Sequence, residues 1–423
     1  MVPQGTTAGA PGRQRPYHRP VARPSAVPAP TTGAPFLPFA RPSITELEKQ
    51  AVLEVLDSGW ITTGPRAKAF EQRFAEVVGA RHAVALNSAT AALHLALDAF
   101  GVGPGDEVIV PTWTFAASAE VVVYRGARPV LVDVEARTLN ATPQTILDAV
   151  TPRTKAVVAV HFAGLPMAIA PLVEALDRAG IPVVEDAAHA FPSRIGGPSG
   201  RLAGTIARAG AYSFYATKTI TTGEGGMLVT DDDTVADRAR LMALHGISRD
   251  AWKRYTASGD WFYEIEDAGY KYNMTDIAAA LGLAQLSRAT ELLEARRRLA
   301  RAYDEAFRNS AVADLVDLPP DAPDGSHAWH LYVVRLRLDR LTIDRRAVMD
   351  GLRSAGIGAS VHFIPLHRHP YYQRVWGWRA DALPVASAEY ERVISLPIWP
   401  GMGPDDVARV VDALERILLP QRR

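Results

Sequence analysis

The 423-residue sequence contains no cysteine. That excludes disulfides, thiolate metal sites, a cysteine nucleophile and any iron–sulfur cluster held by thiolates. It also lacks a net charge, since 46 Lys and Arg balance 46 Asp and Glu. No overall field therefore favours nucleic acid or an anionic membrane as a partner. No apolar run approaches the roughly 18 to 20 residues that cross a bilayer, and the N-terminus lacks the apolar stretch of a secretory signal. A soluble, cytoplasmic protein is expected. Acidic residues are missing before Glu46, where the chain is rich in Pro, Gly, Ala and Thr with interspersed arginines. Such a segment cannot bury enough apolar surface to offset its chain entropy. Residues 1–35 are expected to form a disordered tail, with a basic interaction arm or a misassigned start codon as competing readings.

What is present is a globular composition, 48% hydrophobic, long enough for one large domain and a smaller one. From about residue 43 helices and short apolar strands alternate. Helical patterns lie in "SITELEKQAVLEVLDSG", "AKAFEQRFAEVVG" and "ATAALHLALDAF", and strands in "HAVALN", "EVIV", "RPVLVDV", "KAVVAVHF" and "IPVVED". This alternation predicts an α/β fold, a mainly parallel sheet covered on both faces. The stretch "MTDIAAALGLAQLSRATELLEARRRLARAYDEAF" reads as a single long helix opened by Thr275 and Asp276 as capping residues. Strands at "HLYVVRLRL", "GIGASVHF" and "VISLPI" then predict a small C-terminal α+β domain. The division is a large domain over 36–290, and a helical exit with the small domain over 291–423.

Ligands of open α/β sheets sit beyond the carboxyl ends of the strands, which makes the polar residues there the candidates. After Asn87 a helix opens with Ser88, Ala89 and Thr90, offering free N–H groups and hydroxyls to an anion, or simply an ordinary helix cap. "IPVVEDAAHA" ends in Glu185 and Asp186, followed by His189; buried carboxylates need a partner, and a structural ion pair is the alternative reading. "YSFYATKTITTGEGGM" sets Lys218 between an aromatic strand and a loop holding Gly223, Gly225 and Gly226, glycines that let backbone approach a flat ligand. An anion cradle, a carboxylate, an imine-forming lysine and a glycine loop are together what pyridoxal phosphate (PLP) requires.

These motifs, with "GWITTGP", "PTWTFAASA", "GYKYNMTDIAAALGLAQL", "HAWHLYVVRL" and "SVHFIPLH" in the same order, resemble the DegT/DnrJ/EryC1/StrS family of fold-type I PLP-dependent sugar aminotransferases. The resemblance runs from about residue 36 to the C-terminus. It implies Lys218 as the Schiff-base lysine and Asp186 as the partner of the pyridine nitrogen. It further implies His189 at the ring hydroxyl, and Ala89, Thr90 and Ser213 at the phosphate. Phe115 falls at the residue that stacks on the ring; Trp113 is a substitute that could equally be a core aromatic. Where the family commonly has Asn-Tyr-Arg, reaching from a neighbouring subunit to the phosphate, this chain has Lys271, Tyr272 and Asn273. That departure leaves the contact open and marks a subgroup. His330, His362 and His367 lie in segments that close over the sugar nucleotide, or are structural histidines. No metal is expected.

The implied activity is amino transfer from glutamate to a nucleotide-linked keto sugar, in a homodimer with shared active sites. Lys218 would be the proton shuttle. "GYKYNMTD" and "SVHFIPLH" look most like enzymes that aminate C4 of UDP- or dTDP-linked sugars, with C3 amination left open. A related dehydratase branch uses histidine in place of the lysine, and one type also needs an iron–sulfur cluster; Lys218 and the absent cysteines argue against it. A non-catalytic PLP-fold sensor is the remaining alternative.

Overall fold

The computed structural model describes residues 35–197, 199–247, 263–320, 322 and 326–423. The expected tail, except Pro35, lies outside the described residues. Helices α1 (Glu46–Ser58) and α2 (Pro65–Val78) lead into the first strand, β1 (His82–Leu86), and α3 (Ala89–Ala99). Then come β2 (Glu107–Pro111), α4 (Ala117–Tyr124), β3 (Arg128–Val132), α5 (Pro143–Leu147), β4 (Thr154–Val160), α6 (Ile169–Asp177) and β5 (Val183–Asp186). A small hairpin, β6 (Arg194–Ile195) and β7 (Arg201–Leu202), precedes β8 (Ala209–Ser213), β9 (Gly226–Thr230) and α7 (Asp233–Met242).

The central sheet has seven strands in the order β1-β9-β8-β5-β4-β2-β3. Strand β9 runs antiparallel to both neighbours and every other pairing is parallel. The mainly parallel sheet read from the alternation is therefore present. Runs such as Val157-Val158-Ala159 are buried throughout because helices cover both faces. On one face α3, α4 and α7 form a continuous core with the strands. On the other, α2 and α8 (Asp276–Ser287) cover one half and α5 and α6 the other.

Two expectations fail here. The long helix is two, α8 and α9 (Ala289–Arg308), separated by Arg288 at φ −102° and ψ 4°. Of its expected caps, Thr275 does accept the Ala278 amide, but Asp276 caps another helix: its buried carboxylate takes the N–H groups of Gly64, Arg66 and Ala67 at 2.8 to 3.0 Å. "GIGASVHF" is also not a strand. Ile357 bridges to Leu37 and Ser360 to Ser395, two different partners, so no ladder propagates.

Helix α9 continues into a second core, shared with β10 (Val316–Asp317), β11 (Tyr332–Leu336), α10 (Arg345–Ser354), β12 (Val393–Leu396) and α13 (Pro404–Leu418). The strands form a three-stranded antiparallel sheet in the order β10-β11-β12. Leu37 packs into this core as well. Two short helices, α11 (Pro370–Trp376) and α12 (Pro384–Tyr390), bring residues of this half against the large sheet's cores.

Candidate active site

A cavity of about 490 Å3 lies at the carboxyl ends of β1, β2, β4, β5 and β8, closed from above by His330, His362 and Phe363. A groove of about 1200 Å3 beside β1 is larger but converges on no reactive group. Of the charges along it, Arg240 pairs with Asp237, and Arg238 with Asp98 and Asp267.

At the floor of the cavity, α3 begins. Ser88 spends its side chain on the helix itself, accepting the Ala91 amide at 3.1 Å. The amides of Ala89 and Thr90, in the first turn, have no intrahelical acceptor and sit at the positive end of the helix dipole. Both residues line the cavity with Ser213, the last residue of β8. Gly226 makes this packing possible. A Cβ there would lie 2.3 Å from the Ser88 carbonyl carbon and 2.4 Å from the Ala89 nitrogen, so any side chain would push the cradle away.

Strand β5 ends in two carboxylates whose side chains leave on opposite faces, as the period of a strand requires. Glu185, fully buried, turns away from the cavity. It meets His161 Nε2 at 2.8 Å and accepts the amides of Gly204, Ile206 and Ala207. Burial raises its pKa, but the His161 contact and these amides outweigh it and hold the group below the usual carboxylate range. The structural carboxylate weighed for this strand end is thus Glu185, held by a hydrogen bond and not by an ion pair, since His161 Nδ1 accepts the Met167 amide at 3.1 Å and leaves Nε2 to donate. Asp186 faces the cavity. Its Oδ2 accepts from Ser118 Oγ at 2.7 Å, its Oδ1 from the Ala188 amide at 3.2 Å, and Ser118 is in turn 2.7 Å from Thr114 Oγ1. Since Ser118 donates to the carboxylate, Thr114 must donate to Ser118.

Lys218 is partly open to the cavity along its chain while its amine lies deep, 3.5 Å from His330 Nε2. Burial, helped by the positive charge of Arg296 and opposed by Asp186, brings its pKa from 10.5 down to about 8. Around it stand three histidines. Burial first and Lys218 second push His189 and His330 well below the ordinary value, and His362 to about 4. All are neutral near pH 7 and keep a nitrogen lone pair to accept a hydrogen bond. The His189 ring lies 4.3 Å from that of His330 and 5.7 Å from Phe363. His362 is oriented by Ser395 Oγ at 2.9 Å and by Phe39 stacked 5.2 Å away. Phe115, 63% exposed, stands at the mouth, 6.0 Å from Phe363.

Of the residues singled out in the sequence, Ala89, Thr90, Phe115, Asp186, His189, Ser213, Lys218, His330 and His362 meet in this one cavity. His367 does not line it, and its surroundings suit the structural reading weighed for it. It is fully buried, with Nδ1 on Thr112 Oγ1 at 2.8 Å and Nε2 on Ser387 Oγ at 2.9 Å, so both nitrogens are spent inside the fold. Trp113 is a core residue packed edge-on to Phe162 and is no substitute for Phe115. Lys271 and Asn273 lie outside the cavity lining and hold each other, Nζ to Oδ1, at 2.6 Å. The sequence reading missed Ser118, Thr114 and Phe363. All three sit in quoted motifs, and Ser118 could have been found as the hydroxyl that opens the helix after β2, four residues past Thr114.

These features fit pyridoxal phosphate: a helix N-terminus whose close approach to β9 needs a glycine, a carboxylate oriented by a hydroxyl chain, and an amine depressed toward neutrality. Fold and site together define a fold-type I PLP-dependent aminotransferase. The profile of the DegT/DnrJ/EryC1/StrS aminotransferase family matches residues 42–415, and the chain belongs to that family. It is a PLP-dependent sugar aminotransferase. The spore coat polysaccharide biosynthesis protein SpsC of Bacillus subtilis is 46% identical over 384 residues, 90% of this chain and 97% of SpsC. Among solved structures, the PMP form of Spr1654 from Streptococcus pneumoniae superposes with a TM-score of 0.82 at 34% identity, covering 90% of this chain and 98% of that one. DesI in the presence of its TDP-sugar product gives a TM-score of 0.80 at 32% identity, covering 92% and 94%. Among the described residues, no helix is long and apolar enough to cross a membrane, and no cluster of potential metal ligands occurs.

Proposed function

We propose that the protein transfers an amino group from glutamate to the C4 keto carbon of a UDP- or dTDP-linked sugar. The observation that carries the choice of acceptor is the cavity wall. Beside Lys218 and the carboxylates of Asp186 and Glu224 it presents Phe115, Phe363, Tyr215, hydroxyls and imidazoles, with no arginine and no second lysine among the described lining residues. A 2-oxo acid acceptor brings a carboxylate that asks for a cation; the glutamate donor brings the same demand, which must be met from outside this lining, so the wall bears only on the part of the acceptor that lies against it. A keto sugar brings hydroxyls and a carbonyl, which neutral imidazoles and aromatic faces suit. The TDP sugar of DesI and the polysaccharide role of SpsC support the same class.

Bound PLP supplies the electron sink. Ala89, Thr90 and Ser213 would hold its phosphate, Asp186 its ring nitrogen and His189 its ring hydroxyl, with Phe115 beside the ring. Lys218 would hold and move the proton at the carbon that reacts, since its amine lies deep in the cavity with its pKa brought down to about 8. His330 and His362 orient the sugar.

The test is a half-reaction followed by a panel. Glutamate alone should bleach the visible cofactor band; a nucleotide-linked 4-keto sugar should restore it and yield an amine located at C4 by NMR. Restoration by a broad set of 2-oxo acids and by no keto sugar would overturn the reading, and an amine at C3 would correct the position.

A further inference from the structure

Helix α9 carries the run Arg296-Arg297-Arg298, of which only Arg296 is buried, 2% exposed. It falls on the apolar stripe with Leu292, Leu299, Ala300 and Tyr303. Its guanidinium donates to four backbone carbonyls: Nη2 to Thr217 at 3.2 Å, and Nη1 to Ile398 at 2.9 Å, Trp329 at 3.2 Å and His330 at 3.4 Å. Nε has no partner among the described residues. Burial lowers its pKa from 12.5 to about 10, with no acidic group opposing that shift. An unpaired buried cation is costly, and an apolar residue would suit the stripe better if packing were all that mattered.

The four carbonyls explain its presence. Thr217 is the residue before Lys218, His330 is the imidazole beside the amine, and Ile398 follows β12. Trp329 sits at φ 51°, a left-handed conformation that is costly for a bulky side chain. Its carbonyl on Arg296 and its amide on His327 Nδ1 at 2.8 Å hold it there. One side chain on the helix that joins the two cores therefore ties the lysine loop to the histidine loop.

We propose that Arg296 is a positioning residue of the transamination site: through these carbonyls it fixes Lys218 and His330 relative to each other, and it keeps an unpaired positive charge behind the lysine. This rests on Lys218 being the cofactor lysine. That charge works against protonation of the nitrogen at Lys218 and of the His330 ring.

The test uses the PLP-loaded protein and two variants, Arg296→Met and Arg296→Lys. The readouts are the pH midpoint of the visible band of lysine-bound cofactor, its visible circular dichroism, and kcat separately from KM. In Arg296→Met the midpoint should rise by about one pH unit as the neighbouring cation is removed, and the circular dichroism should weaken. In Arg296→Lys the charge stays, so the midpoint should hold near the wild-type value. Dichroism and kcat should still fall, because an ammonium lacks the planar fork that reaches several carbonyls at once. A folded Arg296→Met protein with wild-type midpoint and dichroism overturns the proposal. If that variant does not fold, Arg296→Lys decides: wild-type dichroism and kcat with only a lower Tm would make Arg296 a structural residue. Wild-type protein whose borohydride-reduced adduct lies elsewhere than Lys218 would instead overturn the lysine assignment itself.

Discussion

Lys218 shows how much one residue's surroundings decide. An ordinary lysine gains free amine until about pH 10.4, whereas here burial brings the pKa to about 8. The rate at which cofactor-free protein captures PLP should therefore climb about tenfold per pH unit below pH 8 and level off above it. Stopped-flow absorbance after mixing checks this; a rate still climbing at pH 10 would mean that the amine is not depressed. Asp186 depends on a neighbour too. Ser118→Ala removes the hydroxyl on Oδ2, a charge-assisted bond worth about 1.5–3 kcal/mol, and should lower kcat about tenfold or more and weaken PLP binding. Unchanged values of both would show that the Ala188 amide suffices. Strand period separates Glu185 from Asp186 in principle, but only the fold says which face holds the cavity. For His367 no local pattern helps, since it shares a motif with His362 and differs only in which hydroxyls come to meet it.

At the scale of elements, the strands and the first helices were legible because apolar runs and caps are local signals. The break between α8 and α9 was not. No Gly or Pro marks it, and Arg288 is held there by distant partners, Glu48 at 2.7 Å and the Ser43 carbonyl. The segment after Gly356 has strand-like residues but finds two partners, Leu37 and Ser395, in place of one edge. Asp276 combines a local and a distant role. It stands at the start of α8, yet its carboxylate accepts three amides at the start of α2. Asp276→Ala should cost about 2 kcal/mol, the upper end of a helix-cap loss, seen as a lower midpoint in urea with the slope unchanged. A loss within about 0.5 kcal/mol, ordinary for a surface change, would mean that the loop from Trp60 to Gly64 re-forms without it.

For the whole molecule the question is whether one chain makes a complete site. Its cavity offers a helix N-terminus and one lysine to a phosphate, a nucleotide diphosphate and the carboxylates of glutamate. Lys271 and Asn273, which sequence resemblance assigned to a neighbour's phosphate, lie outside that lining. Leu47, Leu53, Leu56 and Ile61 around α1 are 48% to 51% exposed, apolar surface that a lone chain leaves in water. A symmetric homodimer with shared sites would meet both needs, and the proposal makes a prediction that no monomer can meet. A Lys218→Ala chain and a Lys271→Ala/Asn273→Ala chain should each be inactive alone. In a mixed dimer one site collects all the defects and the other none. If mixing is random, half the dimers are mixed and half of their sites are whole, so about a quarter of wild-type activity should return. Activity that never returns in mixtures shown to exchange subunits, or a monomer with full turnover in sedimentation, would rule out a site shared between two chains, and an active Lys271→Ala/Asn273→Ala chain would place those residues outside the reacting site.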